Sequence, residues 1–225
     1  FKSTKELVRI TEVRPDDKVL DVACGTGVVS KEISKTLGRN GLLVGMDLSR
    51  TALEIAKKSI PFSNANFIEM DAENIGFNFK FDKITCQYGM MFFPDAGKVL
   101  KSIYKILNSN GKIVVAVHGL ADDVPYFSTI MNAILKYVPD IRAEGTPTIH
   151  RFGNPDELKS ELSKAGFSDI SITNYEFVYE PGTFEQYWQD YMRTTANVIR
   201  AKVESYGNII MDKIKQDARK NASEY

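Results

Sequence analysis

The sequence is poor in cysteine, histidine and tryptophan, and it has no excess of charge of either sign. Its two cysteines, Cys24 and Cys86, lie far apart and form neither a metal-type spacing nor a thiol-redox pair, which leaves a reducing compartment as the simplest setting. Lysine plus arginine equal aspartate plus glutamate at 29 each, so no overall field draws the chain to nucleic acid or to anionic lipid. The expected partner is a small molecule. The longest apolar runs, such as Ile113-Val114-Val115-Ala116-Val117, are strand-sized, which excludes a spanning helix. The start, Phe1-Lys2-Ser3-Thr4-Lys5, has no signal-type apolar stretch and reads as a trimmed terminus, so the cytoplasm is the default expectation. Oligomeric state is left open.

What is present is the composition of a soluble globular chain, 43% hydrophobic and 26% charged over 225 residues. That length suits one α/β domain with appended cap elements, expected at 121–150 and 183–220. Through the first two-thirds, strand-like runs alternate with helix-period segments, the pattern of βαβ units around a parallel sheet. Strands are expected at Lys18–Ala23, Leu42–Asp47, Asn66–Met70, Lys83–Gln87, Lys112–His118 and Asp169–Tyr179. Helix signals lie between them. Ser49 and Asp95 are capping residues, Gly38 and Gly166 stop signals, and Asn154-Pro155-Asp156-Glu157 is a complete start signal. Ser3 and Glu6 stand at capping-box spacing before a first helix, and two further helices are expected over Thr183–Lys220.

The segment Val19-Leu20-Asp21-Val22-Ala23-Cys24-Gly25-Thr26-Gly27 carries the chemistry, a strand running straight into a glycine turn. Glycine at 25 and 27 lets the backbone turn tightly and approach a ligand closely. By itself this is a nucleotide-binding turn of unspecified kind. With Asp47 about 20 residues on, it nearly fits a dinucleotide fingerprint, so a nicotinamide-dependent oxidoreductase must be weighed. Asp21 discriminates: a carboxylate just before the turn repels a pyrophosphate and favours a cationic ligand. Asp47 ends the second strand, placed for ribose hydroxyls, and Asp71 ends the third, placed for an adenine amino group. Simple strand-end capping is the bland alternative for all three, and it is weakened because they stand at successive strand ends.

These residues resemble class I S-adenosylmethionine-dependent methyltransferases, within the branch of quinone-biosynthesis C-methyltransferases and their small-molecule relatives. The resemblance spans about residues 5 to 180. It rests on Leu20 to Gly27, Gly45-Met46-Asp47-Leu48-Ser49, Asp71-Ala72-Glu73-Asn74, Phe81-Asp82 and Asn110-Gly111-Lys112, in that order. It implies a three-layer α/β/α Rossmann-like sheet in the order 3-2-1-4-5-(7)-6, whose last, antiparallel strand is expected to be missing from this chain. It further implies S-adenosylmethionine as cofactor. Asp21, Ala23 and Gly25 would hold its methionine part with Gly27 completing the turn, Asp47 the ribose, Leu48 the adenine face, Asp71 and Ala72 the adenine edge, and Gln87 the amino group through its carbonyl. The activity implied is methyl transfer to a small apolar or aromatic acceptor. A silent S-adenosylmethionine-binding module and the oxidoreductase are the alternatives.

Catalytic candidates are Tyr88, the better placed at the end of strand four, and His118 and His150, for each of which a structural or surface role is the stronger alternative. Met90 to Phe93, the 126–135 stretch around Ile130 and Ile134, and the aromatics Phe177, Tyr179, Phe184, Tyr187, Trp188 and Tyr191 are divided between acceptor pocket and ordinary core. Cys24 and Cys86 read as packing residues, and Lys213–Lys220 as a solvated helix face.

Overall fold

The computed structural model describes residues 2–143 and 145–223; Phe1, Glu144, Glu224 and Tyr225, all within the expected domain range, lie outside the described residues. The chain divides into two compact units, one of residues up to His118 with Pro147–Phe177, the other of Gly119–Thr146 with residues from Val178 on.

The first unit is built on five parallel strands: β1 (Lys18–Val22), β2 (Leu42–Asp47), β3 (Ala65–Glu69), β4 (Phe81–Gln87) and β5 (Leu107–Ala116), in the order β3-β2-β1-β4-β5. Parallel strands joined by crossover helices are covered on both faces, so β1 and β2 are nearly continuous apolar runs. Alternation sorts their side chains. Val19, Leu43 and Val114 pack with Leu7 of α1 (Lys2–Thr11) and with Val29 and Ile33 of α2 (Val28–Ser34). Leu20, Val22, Val44, Met46 and Ile84 pack on the opposite face with α4 (Ala96–Ile106) and α6 (Pro155–Lys164). Helix α3 (Arg50–Ser59) lies beside α2 and β3. The expected caps form: Ser49, Asp95 and Asn154 each accept a backbone N–H from the first turn of α3, α4 and α6.

Three expectations about the elements of this unit need correction. Asp169–Tyr179 forms no strand. In the expected order the sixth strand pairs only with the seventh, and no strand is formed beyond β5 among the described residues, so the segment has no ladder to join. Ile170 and Ile172 still pack against the core. Second, β5 begins at Leu107, through the expected turn: Phe81 pairs with Leu107 and Lys83 with Lys112, so residues 108–111 bulge out of register. Third, Ser3 lies inside α1 and does not cap it.

The second unit is helical: α5 (Pro125–Tyr137), α7 (Phe184–Arg193), α8 (Asn197–Ser205) and α9 (Asn208–Ala222). Three helices occupy the stretch where two were expected, because Gly207 at φ +85 breaks the chain between α8 and α9. Ile130, Ile134, Tyr187, Trp188 and Tyr191 form this unit's own core, and the Tyr191 hydroxyl donates to the Phe127 carbonyl at 3.0 Å. These side chains are thus spent on packing, whereas Phe177 and Tyr179 are exposed. Met90 and Met91, expected as cleft walls, are buried core of the first unit. Among the described residues no helix is long and apolar enough to cross a membrane.

Candidate active site

The glycine turn follows β1 through three left-handed residues, Ala23 (φ +54), Gly25 (φ +53) and Gly27 (φ +82). The two glycines answer different demands. A Cβ on Gly27 would stand 2.8 Å from Ala56 Cβ, so this glycine permits the approach of α3. A Cβ on Gly25 would meet nothing within 4 Å, so the backbone there faces open space. Cys24 N–H donates to the Met46 carbonyl at 3.0 Å, tying the turn to β2.

Asp47, at the end of β2, completes that tie. One carboxylate oxygen accepts from Gly25 N–H and the other from Ser49 N–H, both at 2.8 Å. The next side chain, Leu48, is 69% exposed. Asp71, two residues past β3, accepts from Glu73 N–H at 2.9 Å and from Asn74 Nδ2 at 3.0 Å, beside buried Ala72.

Asp21 differs from the other two. It is 1% exposed, and its oxygens accept from the Ser30 hydroxyl at 2.6 Å and the Thr85 hydroxyl at 2.9 Å. Burial raises its pKa to about 6 against the opposing effect of those hydroxyls, and the charge of Asp47 adds to the rise. This carboxylate lies beneath the turn.

On β4, the side chain of Gln87 is held by α1: its Nε2 donates to Ser3 Oγ at 3.0 Å and its Oε1 accepts from Thr4 Oγ1 at 2.9 Å. Tyr88 follows at φ +58, and Gly89 is pressed so close to Ala23 that an added Cβ would lie 2.6 Å from it. The turns after β1 and β4 therefore abut. His118, two residues past β5, stacks on Tyr88, and burial together with the nearby His150 pushes its pKa down to about 4.

Apart from His150, which lies on the return before α6, the site residues named from the sequence thus gather along the carboxyl ends of β1 to β5, the edge where open α/β sheets bind ligands. Four residues were missed: Ser3, Thr4, Ser30 and Thr85. Thr85 left a signal, a lone hydroxyl in the buried run Ile84 to Cys86, set opposite Asp21 in the register. Ser3 and Thr4 left none, because they meet Gln87 across more than 80 residues.

Are these residues fit for S-adenosylmethionine? Each carboxylate oxygen of Asp47 takes one N–H, and a carboxylate offers about four lone-pair sites, so capacity for two ribose hydroxyls remains. Leu48 offers an exposed apolar face beside it, and Gly25 an open one. The donor set fits.

A parallel sheet in this order, with a glycine turn after its first strand and acids after the next two, defines a Rossmann-like nucleotide-binding α/β fold. A family model for a methyltransferase domain matches residues 14–166, and the chain belongs to the class I S-adenosylmethionine-dependent methyltransferases. It is similar to the ubiquinone/menaquinone biosynthesis C-methyltransferase UbiE of Rhizobium etli, 30% identical over 176 residues, 72% of this chain and 68% of the relative. It is also similar to the demethylmenaquinone methyltransferase of Staphylococcus epidermidis, 27% identical over 184 residues, 76% of each. A solved Bacillus halodurans structure, classed provisionally as a methyltransferase, shares the fold with TM-score 0.62 at 22% identity, over 95% of this chain and 89% of that one. The protein is an S-adenosylmethionine-dependent methyltransferase, and these relatives favour neither the oxidoreductase nor the silent module.

Proposed function

We propose that the methyl acceptor is a small apolar or aromatic molecule, and that the strand-end residues divide the work of holding the cofactor. Asp47 takes the ribose hydroxyls and Leu48 lies on the adenine face. Asp71 and Ala72 meet the adenine edge, and Ala23, Gly25, Gly27 and the Gln87 carbonyl receive the methionine part. Asp21 stabilises the cofactor's positive charge through its field from beneath the turn, since both of its oxygens already accept hydroxyls. S-adenosylmethionine, when bound, supplies a methyl group on a positively charged sulfur. The chain contributes alignment, and near-attack geometry of this kind is worth roughly 7–11 kcal/mol.

The observation that carries the cofactor assignment is the Asp47 carboxylate, which braces the open face of Gly25 and keeps lone pairs for a ligand. The acceptor class is supported by the balanced charge, which supplies no phosphate-neutralising surface for RNA or DNA, and by relatives that act in quinone biosynthesis. The same proposal keeps one catalytic domain, since the chain passes between the two units three times. It also keeps a reducing, cytoplasmic setting, in line with two buried free thiols.

The test has two parts. Calorimetric titration should show binding of S-adenosylmethionine and S-adenosylhomocysteine and none of NADH or NADPH. Labelled methyl transfer should then be found with members of a panel of quinols, phenols, fatty acids and amines. Turnover on short RNAs and on no small molecule would overturn the acceptor assignment.

A further inference from the structure

A groove of about 320 Å³ runs between α1, α2 and α3 of the first unit. Asp47, Leu48, Asp71 and Gln87 take no part in its lining, which meets the cofactor residues only at Gly27 and Thr26 of the glycine turn. Its volume lies at the small end of the roughly 300–1,000 Å³ of small-molecule sites, so it suits one small ligand.

The lining has two characters. Val28 and Ile55, 40% and 49% exposed, are apolar side chains on the outer surfaces of α2 and α3, where an amphipathic helix is ordinarily polar. Lys5 and Lys31 stand beside them and form no hydrogen bond or ion pair with any described residue; the Thr26 hydroxyl is equally unengaged. The neighbouring acids are occupied, since Glu32 of the same lining pairs with Lys35, and Glu6 pairs with Arg9. Two cations thus lack a counter-ion next to apolar surface left in water.

We propose that this groove binds a small amphipathic carboxylate, its anion at Lys5 and Lys31 and its apolar body on Val28 and Ile55, and that its occupancy tightens cofactor binding. A neutral ligand would leave both ammonium groups unanswered, and a bare anion would leave Val28 and Ile55 in water; a molecule with both parts satisfies the whole lining. The coupling has a route: Thr4, adjacent to Lys5, lines the groove and also donates to Gln87 Oε1 at 2.9 Å. A ligand joining Lys5 of α1 to Lys31 of α2 holds α1 against Gln87, and linkage makes the gain in affinity mutual. The site goes beyond the methyl-transfer reading, and its coupling rests on that reading.

The test titrates the full chain with 2-naphthoate, followed by its fluorescence, beside 2-acetylnaphthalene as the neutral counterpart. The carboxylate should bind roughly tenfold more tightly than the neutral ring. The double variant Lys5→Gln/Lys31→Gln alters two exposed positions and should keep the fold and the affinity for S-adenosylhomocysteine alone, yet lose roughly tenfold in 2-naphthoate affinity. Ile55→Asp should weaken 2-naphthoate by a similar factor, since it removes apolar surface and adds a repelling charge. With 2-naphthoate saturating, S-adenosylhomocysteine should bind the wild type roughly fivefold more tightly and the double variant no more tightly than before. Unchanged 2-naphthoate affinity in either variant, or displacement of 2-naphthoate by S-adenosylhomocysteine, overturns the groove; simultaneous binding without a gain overturns the coupling. Failure of S-adenosylhomocysteine to bind at all overturns the cofactor assignment and the coupling with it, while 2-naphthoate titration of the same chain still judges the groove.

Discussion

Thr85 Oγ1 donates to Asp21 Oδ1 at 2.9 Å across two adjacent parallel strands whose register sets the two residues opposite each other. Ser30 donates to the other carboxylate oxygen, so a buried acid rests on two neutral hydroxyls. Burial outweighs them and lifts its pKa from 3.8 to about 6.

A raised folded-state pKa means that the native chain binds this proton more tightly than the unfolded chain. The resulting stabilisation is complete below about pH 3.8 and is lost as pH rises through about 6. At pH 7.5 the ionised Asp21 is therefore a burden on the ligand-free fold. Asp21→Asn should raise stability there by roughly 2–3 kcal/mol, with the gain shrinking toward pH 4, while weakening S-adenosylmethionine binding. Thermal melts at both pH values and calorimetry check this; a lower Tm at pH 7.5 would refute the account of Asp21.

Asp47→Ala should weaken S-adenosylmethionine by about 2–3 kcal/mol, since a charged acceptor for two hydroxyls is lost and Gly25 N–H loses its partner. Asp47 is only half-buried, so the fold should survive. Affinity equal to wild type would remove Asp47 from the ribose site.

The two turn glycines should separate stability from binding. Gly27→Ala drives a Cβ into Ala56 at 2.8 Å and should cost roughly 1–3 kcal/mol of stability. Gly25→Ala meets no protein atom within 4 Å and should cost only about 1 kcal/mol of backbone strain, yet it should abolish most cofactor binding. Denaturant midpoints beside titrations decide; equal binding losses with equal midpoints would contradict it.

Neither thiol should react in the native state. Burial pushes Cys86 up to about 12 and raises Cys24 as well, with the Asp21 charge adding to both. Iodoacetamide at pH 8 should label both only as fast as the chain unfolds. Rapid labelling of Cys24 in folded protein would show the turn to be open.

The sequence by itself determined the sheet through Gln87, the caps at Ser49, Asp95 and Asn154, and the turn from Asp21 to Gly27. These are local signals: an apolar run buried on both faces, a side chain capping its own helix, a glycine where the backbone turns left-handed. Asp47, Leu48 and Asp71 were legible for the same reason, as strand-end residues in a parallel sheet. Only the tertiary structure decided that Asp21 lies beneath the turn, because Ser30 and Thr85 reach it from a helix and from a neighbouring strand. It also turned Ile130, Ile134 and Met90 from candidate pocket walls into core, since an apolar face does not reveal what covers it. The failure of Asp169–Tyr179 to become a strand has the same origin: alternation sets which residues turn inward, but a strand exists only where another backbone completes its hydrogen bonds.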